Sequence, residues 1–172
     1  MRARISNGSA PGAARRGGEA AMPSFRTSHV VNHTPQQMFD LVADVESYPL
    51  FVPLCQTLRI RRRFAGADGA EVIVAEMEVG YKAIRERFTS RVTLDRAAHR
   101  IDVEYIDGPF SHLENMWRFG EAEDGKCRVE FYIAYEFRSR ALATLMGSMF
   151  DVAFRKFSSA FETRADEVFR PA

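Results

Sequence analysis

The sequence predicts an α+β fold: a seven-stranded antiparallel curved sheet wrapped around a long C-terminal helix, with two short helices after the first strand. Three observations predict it. Six segments beyond Cys55 alternate apolar and polar residues to some degree, the period of a half-buried strand. The stretches between them (AGADGA, GYKA, DRAAH, DGPFSH and GEAEDGK) have turn composition at hairpin spacing. The segment from Ala141 to Phe169 is the only one long enough to cover the apolar face that those strands create; at about 1.5 Å per residue it spans roughly 43 Å.

Each element follows in order. SFRTSHVV, from Ser24, is strand-like. Thr34 is placed to cap a helix whose first position is Pro35, a residue that needs no amide partner there. That helix, PQQMFDLVADV, offers Met38, Phe39, Leu41 and Val42 for burial. Glu46 to Pro53 reads as a short second helix, broken by Pro49 and Pro53. The strands TLRIRRRF, EVIVAEMEV, IRERFTSRVTL, RIDVEYI, LENMWRF and RVEFYIAYEF complete the sheet. Arg59, Arg61 and Arg63 share one phase, Glu76 and Glu78 the next, Arg85, Arg87 and Arg91 the next, then Asp102 and Glu104. Basic and acidic strands thus alternate, so ion pairs can form across a solvated face. The opposite phase carries Leu58, Ile60, Phe64, Ile73, Met77, Val79, Phe88, Val92, Trp117, Phe131 and Tyr135, among others, and needs cover.

The long helix has two unlike halves. From Phe154, apolar residues recur at helical spacing (Phe157, Phe161, Val168), as in an ordinary docking helix. The preceding ALATLMGSMF has no charge, and Leu142, Leu145, Met146, Met149 and Phe150 cover most of its circumference. Three readings stand: simple core, a cavity lining, or a contact with a membrane or partner. Gly147 costs about 1 kcal/mol relative to Ala there and marks a kink or a close approach. Phe51 and Pro53, in the break before the second strand, and Phe110 and Leu113, in the loop before the sixth, are placed as walls or lids of a pocket.

At 172 residues the chain fits a single domain over 22–170 that buries roughly 70% of its unfolded surface without metal or disulfide. Residues 1–21, rich in Gly, Ala, Ser and Arg, read as a disordered extension without a secretory apolar core. That segment holds four Arg and one acid, leaving 20 bases and 22 acids elsewhere. So balanced a body is not that of a dedicated nucleic-acid binder, and no DNA partner is expected. Cys55 and Cys127 have no metal-ligand spacing and read as two buried thiols. The nucleophile, zinc and nucleotide motifs are missing, and His29, His33, His99 and His112 are scattered. Glu86, in phase with Phe88, is the one strand carboxylate that could point inward.

A strand, two short helices, six strands and a long C-terminal helix is the helix-grip order. With YPLFVPLC, FTSRVTL, GPFSHLENMWRF and FRKFSSAFETRA, the chain resembles the START-like superfamily of polyketide cyclases and lipid-transfer domains over about Met22 to Phe169. Within it the chain is similar to the coenzyme Q-binding protein family and its bacterial relatives, which include proteins labelled ribosome association toxins. The resemblance implies non-catalytic binding of a polyisoprenoid quinone (ubiquinone) or similar lipid, with no cofactor required, in support of respiratory electron transfer. It implies a cytoplasmic protein with peripheral inner-membrane contact. The alternatives it carries are a ribosome-associating protein that interferes with subunit joining, or a cyclase-type enzyme. The implied lining adds Val52, Phe88, Trp117, Met146, Met149, Phe150 and Phe154 to the loop residues, with Tyr105, Asn115 and Tyr135 as donors to a quinone head.

Overall fold

The computed structural model describes residues 23–170; the extension expected over residues 1–21 lies outside them. Seven strands form one sheet in the order β1-β7-β6-β5-β4-β3-β2, antiparallel at every pairing. They are β1 (Ser24–Val31), β2 (Cys55–Ala65), β3 (Glu71–Tyr81), β4 (Ile84–Asp95), β5 (Arg100–Asp107), β6 (Phe110–Glu121) and β7 (Cys127–Phe137). Hairpins join β2 through β7, while β1 returns to pair with β7, so β1 and β2 form the two edges.

Helix α1 (Pro35–Ala43) and a 3-10 helix (Val45–Leu50) carry the chain from one edge to the other. Thr34 caps α1 as its sequence demands: its hydroxyl accepts from the Gln37 amide, and the Gln37 side chain accepts from the Thr34 amide. The second short helix therefore exists but ends before Phe51, and residues 51–54 form a turn that includes Leu54 at φ 67°. Helix α2 (Arg140–Val168) starts on Ser139, whose hydroxyl accepts from the Leu142 amide.

Register shifts bend the sheet. Two lie in β2, one between β4 and β5 and one at the start of β6. The shift between Ile60 and Arg62 reverses the phase of β2, so Phe64 lies opposite Val72 rather than on the concave face. Phe64 is 37% exposed, with Arg62 and Arg91 over its ring. The same bulge removes Arg63 from the phase it was expected to share with Arg59 and Arg61. The shift between β4 and β5 leaves Ile106 without a partner on β4 and half exposed.

The solvated face is ion-paired as its alternation predicts. Arg61 reaches Glu76 at 2.7 Å, and Arg85 and Arg87 both reach Glu78 at 3.2 Å. Hydrogen bonds from Arg61 and Arg87 hold the carboxyls of Glu76 and Glu78 below the usual range. Cys55 and Cys127 are buried free thiols.

Candidate functional site

The site begins with how α2 lies. The helix packs mainly against α1, β1 and β7, not against the arm of the sheet made by β2, β3 and β4. Polar links fix it on the β1 side: Thr27 to Ser158 at 3.1 Å, His33 to Asp166 at 2.6 Å and His29 to Glu162 at 3.8 Å. Between α2 and the opposite arm lies a cavity of about 120 Å³.

Its walls are apolar. β2 to β5 contribute Leu58, Ala75, Met77, Val79, Phe88, Val92 and Val103. β6 and β7 add Leu113, Trp117, Phe131 and Ile133. The 3-10 helix and the turn after it add Val45, Tyr48, Val52, Pro53 and Leu54, and α2 adds Phe150, Ala153, Phe154, Phe157 and Phe161. Leu54 holds a left-handed backbone that a branched residue rarely adopts, and its carbonyl accepts from the Gly80 amide at 3.0 Å. Burial pushes the Tyr48 hydroxyl far above its ordinary pKa, and that hydroxyl donates to the Val42 carbonyl.

Two other polar side chains line the cavity, Ser90 and Asn115. Asn115 is committed on two sides: its carbonyl oxygen accepts from Trp117 Nε1 at 3.1 Å, and its amide donates to the Tyr132 carbonyl at 2.8 Å. Ser90 is only 5% exposed, and its hydroxyl has no hydrogen-bond partner among the described residues.

The residues expected from the sequence divide into two groups. Val52, Pro53, Phe88, Leu113, Trp117, Phe150 and Phe154 converge on the cavity, as does Asn115. Phe51, Tyr105, Phe110, Tyr135, Met146 and Met149 do not. Phe51 packs edge-on to Tyr48 and Phe161, outside the cavity, under the Arg164 guanidinium. Phe110 and Leu113 are not loop residues: both belong to β6. Phe110 is fully buried among Phe88, Tyr105, Tyr135, Phe137 and Phe150, so it is a plug at one end of the core and not a lip. The Tyr105 hydroxyl accepts from the Phe110 amide at 3.2 Å, which ties it to that corner. Tyr135 lies in the same aromatic cluster, where burial and then Asp151 raise its pKa.

The uncharged half of α2 is divided rather than buried all round. Met146 is 1% exposed, but Leu145 is 58% exposed and Leu142 and Met149 are half-buried. Phe150, the last residue of that half, lines the cavity together with Ala153, Phe154, Phe157 and Phe161. Gly147 faces open space rather than a close neighbour. Glu86 is half-buried and outside the lining, and His112 approaches Glu114 at 3.8 Å. Ser90 was missed, although FTSRVTL carries its signal: it is the one polar residue in the phase of Phe88, Val92 and Leu94.

Comparison with known proteins agrees with this architecture. The profile of the family described as polyketide cyclase/dehydrase and lipid transport matches residues 31–162. A ribosome association toxin RatA of Rickettsia prowazekii is 34% identical over 87% of this chain and all of its own length. The mitochondrial coenzyme Q-binding protein COQ10 homolog B of Xenopus laevis is 32% identical over 84% of this chain, which spans 59% of that protein. Among solved structures, an 18 kDa protein of Caulobacter crescentus superimposes with a TM-score of 0.69 at 37% identity, covering 86% of this chain and 98% of its own. The Zhui aromatase/cyclase of Streptomyces sp. R1128 superimposes with a TM-score of 0.67 over 87% of this chain and 96% of its own, at 17% identity, a likeness of fold alone. The profile runs from the end of β1 into the last turns of α2 and takes in every wall of the cavity; this chain belongs to the polyketide cyclase/dehydrase and lipid transport family.

Proposed function

We propose that this protein binds a polyisoprenoid quinone or a similar lipid without transforming it, in the cavity between α2 and the β2–β4 arm. The observation that carries this reading is a lining of aliphatic and aromatic side chains whose polar members are Tyr48, Ser90 and Asn115. Acid–base catalysis needs a group that exchanges a proton near the working pH. The Tyr48 hydroxyl, bound to a carbonyl and raised by burial, is not one. The relative named a coenzyme Q-binding protein supports a quinone over other lipids. The cavity of about 120 Å³ is close to the engineered cavity of about 150 Å³ that accepts benzene, and below the roughly 300 Å³ of a drug-sized site. A bare ring fits this room; the substituents of a quinone ring and its isoprenoid tail extend past it or widen it. Each CH₂ taken from water contributes about 0.8 kcal/mol, so partial shelter of a tail still supplies useful affinity.

Trp117, the single tryptophan, lines the cavity and reports on it. Titration with a short-tailed ubiquinone should quench its fluorescence saturably. Ala153→Leu extends a helical side chain into the same space and should abolish the saturable phase while the thermal midpoint holds or rises. A linear, collisional quench in both proteins would refute the reading, as would full binding by the Ala153→Leu variant.

A second reading is ribosome association, favoured by the name of the Rickettsia relative. The pairing of Arg61, Arg85 and Arg87 with Glu76 and Glu78 weakens a basic contact surface there. Co-sedimentation with ribosomes at low salt, lost on raising salt, would support it.

A further inference from the structure

We infer that Ser90 is the polar recognition point of the cavity, donating its hydroxyl proton to an oxygen on the inserted ring. The inference rests on the binding role proposed above and specifies which chemistry the cavity selects.

The concave face of β4 reads Phe88, Ser90, Val92, Leu94, and across the sheet Ser90 lies opposite Ala75 on β3 and Tyr105 on β5. A buried hydroxyl with no partner is unfavourable, and native interiors seldom keep one. Alanine would fit the same position with no polar atom to desolvate. Among the described residues no acceptor lies within hydrogen-bond reach of this hydroxyl; the Tyr105 hydroxyl instead accepts from the Phe110 amide, and the Asn115 carbonyl oxygen from Trp117. A water held there would want two to four polar partners, and this apolar wall is a poor source of them. An oxygen carried in on a ring meets the need, because the ring fills the apolar volume and its carbonyl or ether oxygen accepts from Ser90. The selected ligand is thus a neutral oxygenated ring and not a plain hydrocarbon. The preference follows from the hydrogen bond to Ser90 that only the oxygenated ring completes.

The test compares two probes of similar size, a ubiquinone with one isoprene unit and prenylbenzene, on the unaltered protein and on Ser90→Ala. The expected result is a 2- to 10-fold loss of quinone affinity in Ser90→Ala, with prenylbenzene affinity unchanged or higher. Without ligand, Ser90→Ala should melt higher, by about 2–4 °C, since an unpaired hydroxyl has been removed from the interior. Equal quinone affinity in the two proteins overturns the role of Ser90 while leaving cavity binding intact. A lowered melting point overturns it too, because it shows the hydroxyl to be paired structurally. Binding of neither probe by the unaltered protein removes this inference and the function it rests on together.

Discussion

Gly108 shows how one position can fix a corner. It holds φ at 142°, and a Cβ there would sit 2.5 Å from Phe88 Cβ and 3.0 Å from the Arg87 carbonyl oxygen. Only glycine lets the β5–β6 turn pass beneath β4, and that passage delivers Pro109 and Phe110 into the aromatic end of the core. Arg138, just past β7, locks the turn, its amide donating to the Pro109 carbonyl at 2.9 Å and its guanidinium to the Phe110 carbonyl at 3.2 Å. Gly108→Ala should therefore destabilise the fold by about 1–3 kcal/mol, read as a lower urea midpoint at unchanged slope. The quoted corner GPFSHLENMWRF announced itself in the sequence by its Gly-Pro pair and lone Trp. Its role as a core plug did not, since a Phe beside a turn signal looks the same whether it caps a cavity or fills one.

Helix α2 was legible in length and limits but not in which half meets the cavity. Charge-free composition pointed to Ala141–Phe150 as the hidden half. The structure buries Ala153, Phe154 and Phe161 as fully as Met146 and Phe150 and leaves Leu145 exposed, with the polar ties to β1 falling on Ser158 and Glu162 of the later half. Composition counts greasy residues; coverage depends on where neighbouring elements stop. Gly147 lies in the charge-free half with open space at its missing Cβ. Gly147→Ala should then stabilise the helix by up to about 1 kcal/mol, raising the thermal midpoint by about 2–4 °C. A drop in midpoint would mean that the backbone needs the glycine. The β2 edge was misread for a different reason: periodicity assumes an unbroken strand, and the bulge beyond Ile60 inverts every later side chain.

At the scale of the whole molecule, strand number, antiparallel neighbour order and the ion-paired outer face could all be read in advance, because alternation and turn chemistry are local signals. A pocket under α2 was also expected, but its full set of walls was not legible, since they come from strands far apart in the chain and from where α2 lies against them. The buried thiols give a property of the entire fold. Burial pushes Cys55 and Cys127 up to about 11 from an ordinary 9.0. The folded chain keeps these protons at a pH where the unfolded chain has released them, so stability falls as pH rises from about 9 towards 11. Melting followed by circular dichroism from pH 7 to 11 should show a decline that starts near pH 9 and is shallower in Cys127→Ala. A flat profile to pH 11 would contradict it. The one-sided attachment of α2 also has a mechanical outcome. Thr27, His29 and His33 hold the helix through polar links along a single margin of the sheet, while toward the β2 side its contacts are aromatic, Tyr48 and Phe51 on Phe161, with the Arg164 guanidinium over the Phe51 ring. If the proposed cavity admits anything bulkier than one ring, the side without polar links yields first, as a book opens away from its spine.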